Sequence, residues 1–243
     1  MSSSTGPRPS TIFNRYSFDF DGTDDYVIVP NSTSLNITTA MSVSMWFKTT
    51  SSSVMYPLTQ GSGSEIKYLV QFYAPINRIR LQIYDGNSVL TIIDNTQAFN
   101  DGQWHHLAFT TDALTTTDGV KIYFDGTLLT NKGTLSNNGI SSITTPFYIG
   151  QIPNTSRFNG NIDEVAVFNS ELSQSDVTSI YNSGVPNDLS SLSPVSWWRM
   201  GDAATFGGGN WVLTDQGSGG NNGTSTNMTE DSRKLSTTQF DKS

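Results

Sequence analysis

The sequence predicts an all-β fold: an antiparallel sandwich carrying one short helix late in the chain. Three observations point there. The polar residues are mostly Asp, Asn, Gly, Ser and Thr, which favour turns and strand surfaces over helices. Of the 21 acidic residues only Glu65, Glu164, Glu171 and Glu230 are glutamates. Apolar residues recur with period two, and turn signals break the runs at Asp85-Gly86-Asn87, Asp101-Gly102, Asp118-Gly119 and Asp125-Gly126.

Residues 1–14 read as a polar arm with Pro7 and Pro9. Strand candidates follow at 18–20 and 26–29. In the next, Met41, Val43, Met45 and Phe47 alternate with Ser42, Ser44, Trp46 and Lys48. Further candidates are 68–73, 79–83, 89–93, 104–110, 120–124, 147–150 and 162–168. Many short strands at this spacing suit a sandwich. Ser173-Gln-Ser-Asp176 resembles a capping box with Asp in the Glu position. Val177, Ile180 and Tyr181 fall at helical spacing behind it, and Gly184 sits where a C-cap belongs. These elements set a main domain over 15–185. Residues 186–228 form a Gly- and Asn-rich extension, too poor in apolar groups for its own core, that packs on the sandwich. Within it SWWRM reads as a short strand, joined with NNGT into an added strand pair. Residues 229–243 read as a polar tail.

Composition excludes several classes. The net charge is −8 over 243 residues, so the basic patch that nucleic-acid binding requires is missing. With no cysteine there is no thiol nucleophile, disulfide or thiolate metal site. No apolar run approaches the ~20 residues of a membrane span. The start lacks the apolar core of a signal peptide.

Six stretches stand in a telling order: FDGTDDYVIVP, MSVSMWFKT, WHHLAFTTD, VKIYFDGTLL, FYIGQ and FNGNIDEVAVFNSELSQSDVTSIYNSG. Together, over about residues 17–184, they resemble the concanavalin A-like, laminin G-like family. The resemblance implies a two-sheet antiparallel jelly-roll sandwich with one short helix after the last core strand. The tail motif SWWRMGD…TDQGSGGNNGT is similar to C-terminal extensions of laminin G-like proteins of marine bacteriophage virions. That implies a non-enzymatic structural or adhesion module of a virion, as capsid decoration or fibre, with a carbohydrate-binding face. Its partners would be other virion subunits, further copies of itself and a cell-surface glycan. The alternative is a freestanding bacterial lectin.

Candidate sites follow. FDFDGTDDYVIVP groups Asp19, Asp21, Asp24 and Asp25 around Gly22. One reading is a hairpin in which Gly22 supplies the positive φ. The other is a structural calcium ion held by Asp21, loop carbonyls and Asp163, since calcium takes several oxygen ligands. A catalytic acid pair is disfavoured: glycosidases of this fold carry Glu-x-Asp-x-Glu on one strand, and that motif is absent. His105 and His106 are the only histidines. Neighbours on a strand point to opposite faces, so the two cannot share an ion and read as structural, with Trp104 and Leu107 as core. Arg157, Phe158 and Asn159, in the loop before the last core strand, are the candidate ligand-binding residues. Trp197 and Trp198 must point oppositely, one of them covering the sandwich.

Overall fold

The computed structural model describes residues 14–86, 89–112, 119–129, 139–153 and 155–236. Of the arms assigned to 1–14 and 229–243, residues 1–13 and 237–243 lie outside the described residues. The first strands are β1 (Tyr16–Asp21), β2 (Tyr26–Val29), β3 (Met41–Lys48), β4 (Val54–Ser62), β5 (Glu65–Tyr73) and β6 (Arg78–Tyr84). Then come β7 (Val89–Asp94), β8 (Trp104–Thr111), β9 (Val120–Phe124), β10 (Thr127–Leu128), β11 (Phe147–Ile149) and β12 (Asn159–Phe168). Helix α1 (Gln174–Tyr181) follows, and the extension adds β13 (Ser196–Trp198), β14 (Ala204–Gly207), β15 (Asn210–Leu213), β16 (Gly223–Thr226) and β17 (Arg233–Leu235).

Two sheets result. The first runs β10-β9-β8-β3-β12-β1-β17, with β13 paired to part of β12. The second runs β14-β15-β16-β2-β11-β4-β5-β6-β7. The pairings are antiparallel, as the jelly-roll reading requires. Alternation aims Phe18, Phe20, Val43, Met45 and Phe47 of one sheet at Val70, Phe72, Ile79, Leu81 and Phe147 of the other, all in one buried cluster. Fully burying one such side chain contributes roughly 1.5–3 kcal/mol.

The helix forms as its capping box predicts. Ser173 Oγ accepts from the Asp176 amide, and the Asp176 carboxylate accepts from the Ser173 amide. It ends at Tyr181, and Asn182, two residues before Gly184, takes the left-handed cap at φ 44°. Val177 and Ile180 pack onto the outer face of the first sheet with Ala108, Ala166 and Trp197.

The extension differs from its expected form. SWWRM and NNGT do not pair with each other; β13 joins the first sheet and β16 the second. Trp198 enters the main core, stacked on Phe147 with 5.3 Å between ring centroids, while Trp197 faces the helix cluster. Nor is the tail wholly an arm, since β17 pairs with β1 through Phe18↔Arg233 and Tyr16↔Leu235. Among the described residues no helix is long and apolar enough to cross a membrane.

Candidate functional site

At one end of the sandwich three segments converge: the 21–25 connection, the 49–54 loop, and residues 155–159 leading into β12. They enclose a cleft of about 500 Å³ lined chiefly by Gly22, Thr50, Ser51, Ser52, Ser53, Arg157 and Asn159. Hydroxyls, one guanidinium and one amide dominate its wall. Local bonds fix these groups. Asn159 Nδ2 donates to the Asp21 carbonyl at 2.7 Å, and Thr49 Oγ1 donates to the Asn159 carbonyl at 2.6 Å. Arg157 Nη1 reaches the carbonyls of Ile152 and Thr155 at 3.5 and 3.4 Å, and the guanidinium lies 5.6 Å from the Tyr26 ring. Its Nε is buried with no partner among the described residues. Gly22 has φ 76°, and a Cβ there would lie 2.7 Å from Asn159 Cβ, so the connection can pass Asn159 only as glycine.

Two of the three expected ligand-binding residues, Arg157 and Asn159, therefore line this cleft. Phe158 does not. It is fully buried, its ring 6.2 Å from Phe20 and 6.4 Å from Phe72. Alternation sends the residue between two cleft residues inward. The 49–54 serines were missed, because Ser/Thr runs are common on β surfaces and carry no pattern of their own.

The aspartate stretch is not a hairpin. β1 and β2 belong to different sheets, so residues 22–25 cross from one to the other. Asp21, Asp24 and Asp25 bring carboxylate oxygens within 4.8 Å of one another. Asp21 Oδ1 accepts from the amides of Thr23, Asp24 and Asp25 at 2.7, 3.2 and 3.4 Å. Burial pushes the Asp21 carboxyl up, but these amide bonds outweigh it and hold the group below its ordinary value. Among the described residues Asp25 accepts only the Asp21 amide, at 3.2 Å. Burial and the Asp21 charge push it up to about 6. A smaller recess of about 240 Å³ beside them is walled by Asp19, Asp21, Asp25 and, from the extension, Asn227 and Asp231.

The Asp21–Asp163 pairing fails. Asp21 lies opposite Asn159 in the ladder, four residues and so ~13 Å along β12 from Asp163. Asp163 is fully buried, accepting Asn14 Nδ2 at 3.0 Å and the Glu164 amide at 2.8 Å. The acids that meet Asp21 are its own neighbours.

Searched against family models, residues 21–178 match a laminin G model described as the concanavalin A-like lectin/glucanases superfamily. The chain belongs to this superfamily. A search of curated proteins finds no match. Among solved structures, similar ones include a native heptameric SAP-like pentraxin from Limulus polyphemus, with TM-score 0.51 and 15% identity over 69% of this chain and 82% of that one. Another is domains LG4-5 of the mouse laminin alpha1 chain, with TM-score 0.52 and 15% identity over 68% of this chain. The chain spans 44% of that laminin fragment. At this identity both speak for the fold alone.

The superfamily name covers lectins and glucanases, so the acids and histidines need placing. Glu65 stands at the start of β5, Glu164 in β12, Glu171 before α1 and Glu230 before β17; no two share a strand. Glu164 is buried at φ 48°, where a bulge interrupts β12. It accepts from Trp197 Nε1 and from Arg199 Nε at 3.1 Å, tying β13 to the sandwich. Burial pushes its carboxyl up to about 7 although Arg199 opposes this. His106 is fully buried with Nε2 2.8 Å from Ser44 Oγ, and burial lowers it to about 4. His105 faces the other way, Nδ1 2.8 Å from Asp125 and Nε2 3.1 Å from Asp101. Burial lowers it, but these two carboxylates win and raise it. No serine completes a triad on His105, and no carboxylate orients His106, whose Nδ1 lacks a partner among the described residues. Leu107 is buried as expected, whereas Trp104 is only half-buried, with Lys48 Nζ 5.6 Å from its ring.

Proposed function

We propose that the chain is a non-enzymatic carbohydrate-binding module working at the rim cleft. The observation that carries this is the cleft itself: hydroxyls, Asn159 and an Arg157 oriented by the carbonyls of Ile152 and Thr155, with little apolar wall. Such a set suits a polyhydroxylated ligand, whose hydroxyls need fixed donors and acceptors more than apolar area. Arg157 keeps an unused buried donor there. The scattering of the four glutamates, and the burial of His106, support the non-enzymatic part.

The donor set at Asp21, Asp24 and Asp25 fits a calcium ion. Three carboxylates lie within 4.8 Å, and the Asp21 charge adds to burial in raising Asp25, a repulsion that a cation relieves. When bound, calcium would supply charge neutralisation that stiffens the 21–25 crossing. Through the Asn159–Asp21 hydrogen bond that crossing supports the cleft.

We also propose that the module is displayed on a bacteriophage virion, next to other virion subunits and copies of itself. The support is the resemblance of the extension, together with the exposed Leu235 on edge strand β17 and exposed Phe206 on edge strand β14. Recovery in purified particles at fixed copy number supports this; its absence from them returns the module to a freestanding lectin.

A glycan array tests the binding function. The wild-type chain should retain a defined set of glycans, and Arg157→Ala should lose them while melting like wild type. An array on which nothing is retained, with or without calcium, refutes the reading.

A further inference from the structure

We propose that the ligand is a glycan chain rather than one terminal sugar, running from the rim cleft over the lip of the sandwich onto the outer face of the first sheet, where Trp104 receives a further ring. This rests on the carbohydrate reading above and deepens it.

A second groove of about 330 Å³ opens beside the first. The two share Thr50 and Asn159 as walls, so they adjoin across these residues. Asp19, Lys48 and Asn161 line the second groove and stand in one cross-strand row, Lys48 opposite Asn161 and Asn161 opposite Asp19, and Trp104, opposite Lys48, continues that row beyond the groove. Their neighbours Phe47, Ile162, Phe18 and Phe20 are fully buried in the core, so alternation turns Lys48, Asn161 and Asp19 outward. Three strand gaps make the row ~14 Å long, which exceeds a single sugar ring.

The chemistry of the row alternates as a sugar chain requires. Trp104 offers an aromatic plane for the C–H face of a ring. Lys48 lies over that ring now, at 5.6 Å, on a flexible solvated stem. A sugar can displace it and leave the ammonium to a hydroxyl. The indole Nε1–H is buried without a partner among the described residues, an unused donor beside the plane. Asn161 and Asp19 add an amide and a carboxylate. Gly160 walls the second groove at φ 134°, and a Cβ there would meet the Lys48 carbonyl at 2.2 Å, so only glycine fits between Asn159 and Asn161.

The test prints each backbone on the array as disaccharide and as hexasaccharide, then measures the retained backbone by calorimetry at both lengths. The hexasaccharide should bind at least tenfold tighter. Trp104→Ala should cut that length ratio by about tenfold, the worth of one aromatic stack, and Trp104→Phe should keep most of it. If Trp104→Ala does not fold, Asn161→Ala on the same row should still reduce the ratio. Equal affinity at both lengths, or a ratio that neither Trp104→Ala nor Asn161→Ala moves in folded protein, overturns the chain-binding inference and leaves the rim site standing. Retention of no glycan at either length overturns the carbohydrate reading and this inference with it.

Discussion

Acid should destabilise this protein through His106, and the size of the effect follows from its burial. The ring has no exposed surface; it packs 5.3 Å from Trp46 and 6.2 Å from Tyr181 under the helix. Its folded-state pKa is lowered from 6.5 to about 4 because burial penalises the charged ring. The sign is therefore fixed. Above pH 6.5 the ring is neutral in both states and no penalty arises. Below it the unfolded chain takes a proton that the folded chain refuses, and stability falls until about pH 4. At about 1.4 kcal/mol per pH unit this amounts to roughly 3 kcal/mol, a large share of a typical 5–15 kcal/mol. The assay is urea denaturation at pH 7, 6, 5 and 4.5 on wild type and His106→Gln. Carboxylates contribute to both curves, so their difference isolates the ring. Glutamine can still bond Ser44, and the variant should lose stability at pH 7 but show a shallower acid slope. Parallel slopes would refute the claim that His106 is a neutral structural ring, and with it one support for a non-enzymatic protein.

The remaining predictions concern the aspartates and the extension. EDTA should lower the melting temperature, calcium should restore it, and Asp21→Asn should abolish both responses; a metal-loaded sample indifferent to EDTA removes calcium from the account. Trp198→Ala should cost about 3–5 kcal/mol by denaturation, because it empties a core site stacked on Phe147 and frees the Asn221 carbonyl; a loss under 1 kcal/mol means the extension is not integral to the core. Glu164, raised to about 7, should make stability fall as pH rises from about 4.5 to 7, and Glu164→Gln should flatten that trend in hydrogen exchange of β13; an unchanged trend refutes its role as the tie to Trp197 and Arg199.

Much of the fold was legible because alternation is a direct print of a half-buried strand. Met41 to Lys48 and Arg78 to Tyr84 show it cleanly and sit where expected. Strand β4, VMYPLTQGS, did not show it, since Pro57 and the Ser and Gly residues mask its period. Residues 229–236 looked too polar to order, yet backbone pairing of β17 with β1 needs no apolar side chain. The candidate cleft was half legible. Loop position brings Arg157 and Asn159 to its wall, while alternation turns Phe158 between them into the core. Asp163 failed because sequence gives no register: only the ladder puts Asp21 opposite Asn159. Trp104 was misread as core for a related reason, since it stands at the sheet's lip where the outer face begins.

The central claim is that sugars bind where residues 21–25, 49–54 and 155–159 meet. The most direct test is a nuclear magnetic resonance titration of the amide-labelled chain with an array-selected hexasaccharide. The account predicts that shifts gather at Thr50 to Val54, at Arg157 and Asn159, and along Asn161 to Trp104, with little change at β7 or β10. Shifts centred on β7 or β10, with the rim silent, would contradict it.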